Sequence, residues 1–124
     1  NPPFHDDTGQ RSPDAQRARA LRDAGTLKDW VRSGLEHVAS KGSFTIILRA
    51  DRLKEVLAAL PSNGVTIYPL LPHEGEAPKR VIVQIRNGSS APQVCLSGLI
   101  LHKADGAYTP EADDILRGGK GLTF

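Results

Sequence analysis

The sequence predicts an α/β domain in which parallel strand and helix alternate before the chain finishes in an antiparallel strand pair. Two observations predict this. First, a helical period over 26–41 leads into the nearly continuous apolar run Phe44-Thr45-Ile46-Ile47-Leu48, and that run leads into a second helical period over 51–60. Helix–strand–helix alternation is the mark of a sheet with parallel strands. Second, the strand-like runs 65–71 and 80–86 are joined by the Pro/Gly-rich stretch 72–78, a connection of hairpin length rather than a helical crossover. At 124 residues the chain is one domain or part of one, long enough to bury a core.

Each element follows from its residues. Positions 5–12 are a polar loop, and Ser12-Pro13 offers an N-cap followed by proline at the first helical position. The helix-prone stretch 14–23 carries Arg17, Arg19 and Arg22 on most of its faces, which suits a solvated piece, and Gly25 breaks it. Thr26 opens the next helix with Asp29 in capping-box position. Leu27, Trp30, Val31, Leu35 and Val38 form its apolar stripe, with Gly34 and Ala39 on the same side, and Lys41-Gly42 stops it. The run 44–48 suits a strand covered on both faces. Asp51 is placed to cap a helix whose Leu53, Val56, Leu57 and Leu60 share one side, and Pro61 ends it.

In 80–86, Val81, Val83 and Ile85 alternate with Arg80, Ile82, Gln84 and Arg86, so one face is core and the other mixed. Leu99-Ile100-Leu101-His102 is a fourth strand-like run before the turn Ala104-Asp105-Gly106. Thr109-Pro110 caps a last short helix that ends at Gly118-Gly119.

Composition excludes little. Sixteen Lys+Arg against 14 Asp+Glu leave +2, which is no nucleic-acid footprint by itself. The single cysteine, Cys95, rules out an internal disulfide and suits a reducing, cytoplasmic setting. Within Val94-Cys95-Leu96 it is expected as a small core residue. No apolar run reaches membrane-spanning length, and no signal-peptide pattern is present. His5-Asp6-Asp7 has metal-ligand residue types, but three adjacent loop residues do not converge on one ion, and no metal is expected. His37 and His102 fall near element ends, where a structural role is expected, and His73 falls in a polar loop.

The most informative feature is the opening tetrapeptide, Asn1-Pro2-Pro3-Phe4. It resembles the Asn/Asp-Pro-Pro-Tyr/Phe signature of methyltransferases that act on planar nitrogens: the exocyclic amine of adenine or cytosine, or a glutamine amide. An adenine N6 lone pair is delocalised into its ring and is a poor nucleophile. A side-chain amide oxygen and a backbone carbonyl that accept both N–H bonds favour a more tetrahedral, more reactive nitrogen. Two prolines fix φ, so the carbonyl is in place before substrate arrives. Asn1 is then the candidate amine acceptor, Pro2 supplies the carbonyl, Pro3 helps hold it, and Phe4 stacks on the base. In that family the motif closes a strand and opens a loop over the methyl donor, so Asn1 is also the candidate contact to S-adenosylmethionine.

More of the chain resembles one branch of that family, the bacterial tRNA adenine-N6 methyltransferases and their "methyltransferase small domain" relatives. The resemblance rests on Asn1-Pro2-Pro3-Phe4, Gly42-Ser43-Phe44-Thr45-Ile46-Ile47, Lys79-Arg80-Val81-Ile82-Val83, and Leu99-Ile100-Leu101-His102 followed by Gly106-Ala107-Tyr108-Thr109-Pro110-Glu111. It implies a class I, Rossmann-like sheet in which 44–48 is the fifth strand and the hairpin supplies the sixth and seventh.

It also implies that 1–124 is the C-terminal portion of one methyltransferase domain. Residues 1–25 would hold the active-site motif with its polar loop and helix, and 26–124 the helix–strand core and terminal hairpin. The donor-binding half, with its Gly-rich turn, is not in this sequence. Gly118-Gly119-Lys120-Gly121 does not replace it, because it follows a helix instead of leading one. The 44–48 edge is expected to be covered by that missing half or by a second copy of the chain.

The expected partner is RNA, in particular tRNA, guided by Arg11, Arg17, Arg19 and Arg22 close to the motif. Lys79, Arg80, Arg86 and Lys103 are further candidates for phosphate contact, against the alternative of a solvated strand face. A protein-glutamine methyltransferase would use a similar motif, and a non-catalytic half-methyltransferase module is the alternative outside enzymology.

Overall fold

The computed structural model describes residues 26–124. Helix α1 (Leu27–Glu36) starts as its residues dictate. The Thr26 hydroxyl accepts the Asp29 N–H at 3.3 Å, and the Asp29 carboxylate accepts the Thr26 N–H at 3.0 Å. The helix ends a turn sooner than Lys41-Gly42. At His37 the backbone N–H tightens onto the Gly34 carbonyl at 3.3 Å, and the imidazole Nδ1 lies 2.7 Å from the Ser33 carbonyl oxygen. The stripe is also narrower than expected. Val31 is fully buried and Leu27 and Leu35 half-buried, but Trp30 is 40% exposed. Three residues on from Leu27, Trp30 lies about 60° round the axis on the side away from Val31.

Strand β1 (Ser43–Arg49) leads through a 3-10 turn (Ala50–Arg52) into α2 (Leu53–Ala59) and then β2 (Val65–Leu71). Asp51 lies inside that turn and caps neither helical segment. Its carboxylate is held instead by Arg49, with Nε at 3.1 Å from Oδ1. The hairpin partner, β3 (Arg80–Arg86), inserts between β1 and β2 and runs antiparallel to both, so β1 and β2 are parallel to each other. The bounds of β2 and β3 are those expected from the sequence.

Outside β2 the sheet continues as two short parallel pieces, β4 (Val94–Cys95) and β5 (Leu99–Ile100). Thr66 pairs with Val94 but Leu70 with Leu99, so the outer segment gains one residue between them. Gly98 makes this bulge possible. Its φ is +85°, and a Cβ there would overlap the Pro69 carbonyl oxygen. Cys95, expected in the core, is exposed beside a 45% exposed Val94. A two-residue strand at the sheet margin has no layer over it among the described residues.

Helices cover both faces. Under α1 and α2, Val31 and Val56 pack on Ile46, Leu48, Val65, Ile67, Val81, Val83 and Ile85. On the opposite face α3 (Pro110–Leu116) sets Ala112 against Tyr68, Ile82 and Leu99, with Ile47 and Ile115 at the margin. The Thr109 hydroxyl ties this helix to the sheet, accepting the Ala112 N–H at 3.2 Å and donating to the Ile100 carbonyl at 2.7 Å. Both faces of β1 therefore meet apolar side chains, although Thr45 stays exposed and accepts a hydrogen bond from Gln84 at 3.2 Å. Along its length β1 pairs only with β3. Its other edge has no strand partner among the described residues.

Candidate functional site at the carboxyl pole of the sheet

Parallel strands gather their carboxyl ends at one pole, and open α/β sheets bind ligands there. Here that pole comprises Arg49, Ala50 and Asp51 after β1, Pro72 and His73 after β2, Lys79 and Arg80 at the head of β3, and Leu101 and His102 after β5. Beyond the last ladder pair, Arg49 with Arg80, a backbone bond from Ala50 N–H to the Lys79 carbonyl at 3.0 Å extends the join between β1 and β3. Two concavities open beside it. One, of about 410 Å³, is lined by Arg49, Ala50, Asp51, Pro78, Lys79 and Arg80. The other, of about 310 Å³, is lined by Leu70, Pro72, His73, Lys79, Arg80, Leu101 and His102. Lys79 and Arg80 are common to both.

The charges differ in what they do. Arg49 is neutralised locally by Asp51. Lys79 and Arg80 are exposed and have no acidic partner among the described residues. Arg80 and Arg86 stand at opposite ends of a seven-residue strand, roughly 20 Å apart, so they do not form one basic face. Lys103 turns to Asp105 at 4.0 Å.

Aromatic stacking fixes the far wall. His102 stacks on Tyr108 at 4.9 Å between centroids and meets His73 at 5.8 Å, and the Arg117 guanidinium lies 5.5 Å over the Tyr108 ring. The Nδ1 atom of His102 is buried with no hydrogen-bond partner. Sequence reasoning did not bring this group together. His73 and His102 each follow a strand by two residues, and the Leu71–Ile100 register sets them side by side. Only that register reveals it. Deeper in the same layer, burial pushes the Tyr68 phenol up from its usual pKa, and the nearby Glu111 charge adds to the effect.

Asn1, Pro2, Pro3, Phe4, Arg11, Arg17, Arg19 and Arg22 lie outside the described residues. Among the described residues no strand leads through a Gly-rich turn into a helix, and Gly118-Gly119-Lys120-Gly121 follows α3. Among them no three His, Cys, Asp or Glu side chains cluster as a metal site would require. No helix among them is long and apolar enough to cross a membrane.

No protein-family model matches the chain, and no curated protein matches it. Among solved structures it is similar to protein Atu636 from Agrobacterium tumefaciens, described as a predicted O-methyltransferase. The two share 32% identity at a TM-score of 0.69 over 76% of this chain. The chain spans 47% of that protein's length. The fold expected from the sequence is the fold observed: a mixed α/β sheet that matches part of a methyltransferase-like structure.

Proposed function

We propose that this chain is the C-terminal portion of an S-adenosylmethionine-dependent N-methyltransferase that modifies the N6 amine of adenine in tRNA or other structured RNA. The supporting observation is the coincidence of an Asn-Pro-Pro-Phe motif with a downstream fold shared, at 32% identity, with a methyltransferase-like structure. The edge of β1 left without a strand partner among the described residues suits a further parallel strand ending in that motif. A parallel neighbour there would deliver Asn1 to the same pole as Arg49, Lys79 and Arg80.

In this reading the Asn1 side chain and the Pro2 carbonyl take the two amine hydrogens, Phe4 stacks on the base, and the basic pole faces the polynucleotide. S-adenosylmethionine would supply the methyl group, held by a donor half outside this sequence.

The test is substitution in the full-length enzyme. Asn1→Ala should lower methyl transfer by roughly 10²–10³-fold, because the lost contact acts on the reacting amine. Phe4→Ala should raise KM for RNA more than it lowers kcat. Near-normal turnover in Asn1→Ala removes the motif from the mechanism. Methylation of a protein glutamine with none in RNA would transfer the assignment to the glutamine-modifying relatives.

A further inference from the structure

The cleft shared by Lys79 and Arg80 has the construction of an anion site. Two cations without an acidic partner among the described residues form the common wall of two adjoining concavities. The one carboxylate that lines either space, Asp51, is already engaged by Arg49. Glu74 and Glu76 belong to the same loop, but they are exposed and line neither space. Leu70, Pro72 and Leu101 supply apolar walls, which strengthen a charge contact by displacing water. His73 and His102 complete the lining, and the Tyr108 stack holds His102 in place.

From this we propose that the cleft binds a backbone phosphate of the RNA substrate, separate from the methylated base. Lys79 and Arg80 share its charge, and His73 and His102 flank it. The proposal rests on the assignment of structured RNA as substrate. It names the contact that would orient the polynucleotide at this pole without reading its sequence. A space of about 310 Å³ holds a phosphodiester with its sugar, and its open side lets the strand continue past Arg49.

The experiment is filter binding of bulk tRNA to the full-length enzyme across a salt series. It compares wild type, the double variant Lys79→Ala/Arg80→Ala, the single variants Lys79→Gln and Arg80→Lys, and Lys28→Ala on α1 as a control for general charge. The double variant should bind about five- to tenfold more weakly at moderate salt, and its salt slope should be shallower by about one unit. Lys79→Gln should show part of the same change, and Arg80→Lys, which keeps the charge, should stay near wild type. Both positions are exposed, so thermal midpoints should not move; a double variant that misfolds leaves Lys79→Gln to decide. An unchanged slope in the double variant, or an equal loss in Lys28→Ala, overturns the site while leaving RNA as the substrate. A salt-independent wild type overturns the RNA assignment and the site together.

Discussion

The two poles of the sheet share a bonded backbone and differ in what their side chains do. At the amino pole the loops are stitched together. Asn87 N–H donates to the Gly42 carbonyl at 2.9 Å, and its side-chain amide reaches the carbonyls of Val38 and Ala39 at 3.2 and 3.3 Å. Arg86 N–H bonds to the Gly64 carbonyl at 2.9 Å, and Gly64 N–H to Ala91 at 2.7 Å. The carboxyl pole is bonded too, by Ala50 N–H to the Lys79 carbonyl at 3.0 Å, Leu101 N–H to Leu71 at 2.8 Å and His102 N–H to Pro72 at 3.0 Å. It also holds two concavities and two cations with no acidic partner among the described residues. The difference lies in the side chains. The Asn87 amide of the amino pole is tied to backbone carbonyls. Lys79 and Arg80 of the carboxyl pole have no carboxylate partner among the described residues, as suits a surface that meets a charged ligand. Stability and recognition thus occupy different ends of the same strands, and substitutions should separate them.

At the amino pole the largest effect on stability is expected at Gly64. Its φ is +75°, and a Cβ there would lie 2.8 Å from the Arg86 carbonyl oxygen and 2.9 Å from the Ser89 Cβ. Gly64→Ala should cost about 2–3 kcal/mol in denaturant unfolding through left-handed strain and overlap. A neutral result would mean that the amino pole is looser than these contacts imply. Asn87→Ala should cost less, about 1 kcal/mol, since its hydrogen bonds are partly exposed to water. Thr26→Ala should cost a similar amount by removing the α1 cap.

The cap also gives a pH signature. Hydrogen bonds from the Thr26 backbone N–H and then from its hydroxyl hold the Asp29 carboxyl below its usual pKa of 3.8, with a smaller pull from Arg32. Because the folded value is the lower one, the stabilisation is complete above pH 3.8 and fades as pH falls through the folded value. The Thr26→Ala penalty should therefore shrink in acid. A penalty that is constant down to about pH 2 would break the link to the carboxylate.

The smallest change in stability belongs to the carboxyl pole. Lys79→Ala and Arg80→Ala should each alter unfolding free energy by no more than about 0.5 kcal/mol. A large loss there would mean that the basic pole is structural after all.

What the sequence revealed follows the same division. Strands β2 and β3 were legible because period-2 alternation and the Pro/Gly-rich link around 72–78 bound them on both sides. The α1 box was legible because Thr26 and Asp29 act within one turn. Cys95 misled because its apolar neighbours suggest a core, whereas β4 is a two-residue margin beside a glycine bulge. Asp51 misled because a lone Asp before a helical period suggests a cap, while Arg49 two residues earlier captures it. The grouping of His73, Lys79, Arg80 and His102 was hidden because residues 29 apart meet only through the register of β5 on β2. Local pattern carries no information about that pairing.

The most direct measurement of the central claim is nucleoside analysis by mass spectrometry after the full-length enzyme has acted on unmodified tRNA with isotope-labelled S-adenosylmethionine. Label is expected in N6-methyladenosine, lowered roughly 10²–10³-fold by Asn1→Ala and reduced at subsaturating RNA by the Lys79→Ala/Arg80→Ala pair. Label in a ribose or other oxygen, or no label in RNA at all, would contradict that claim.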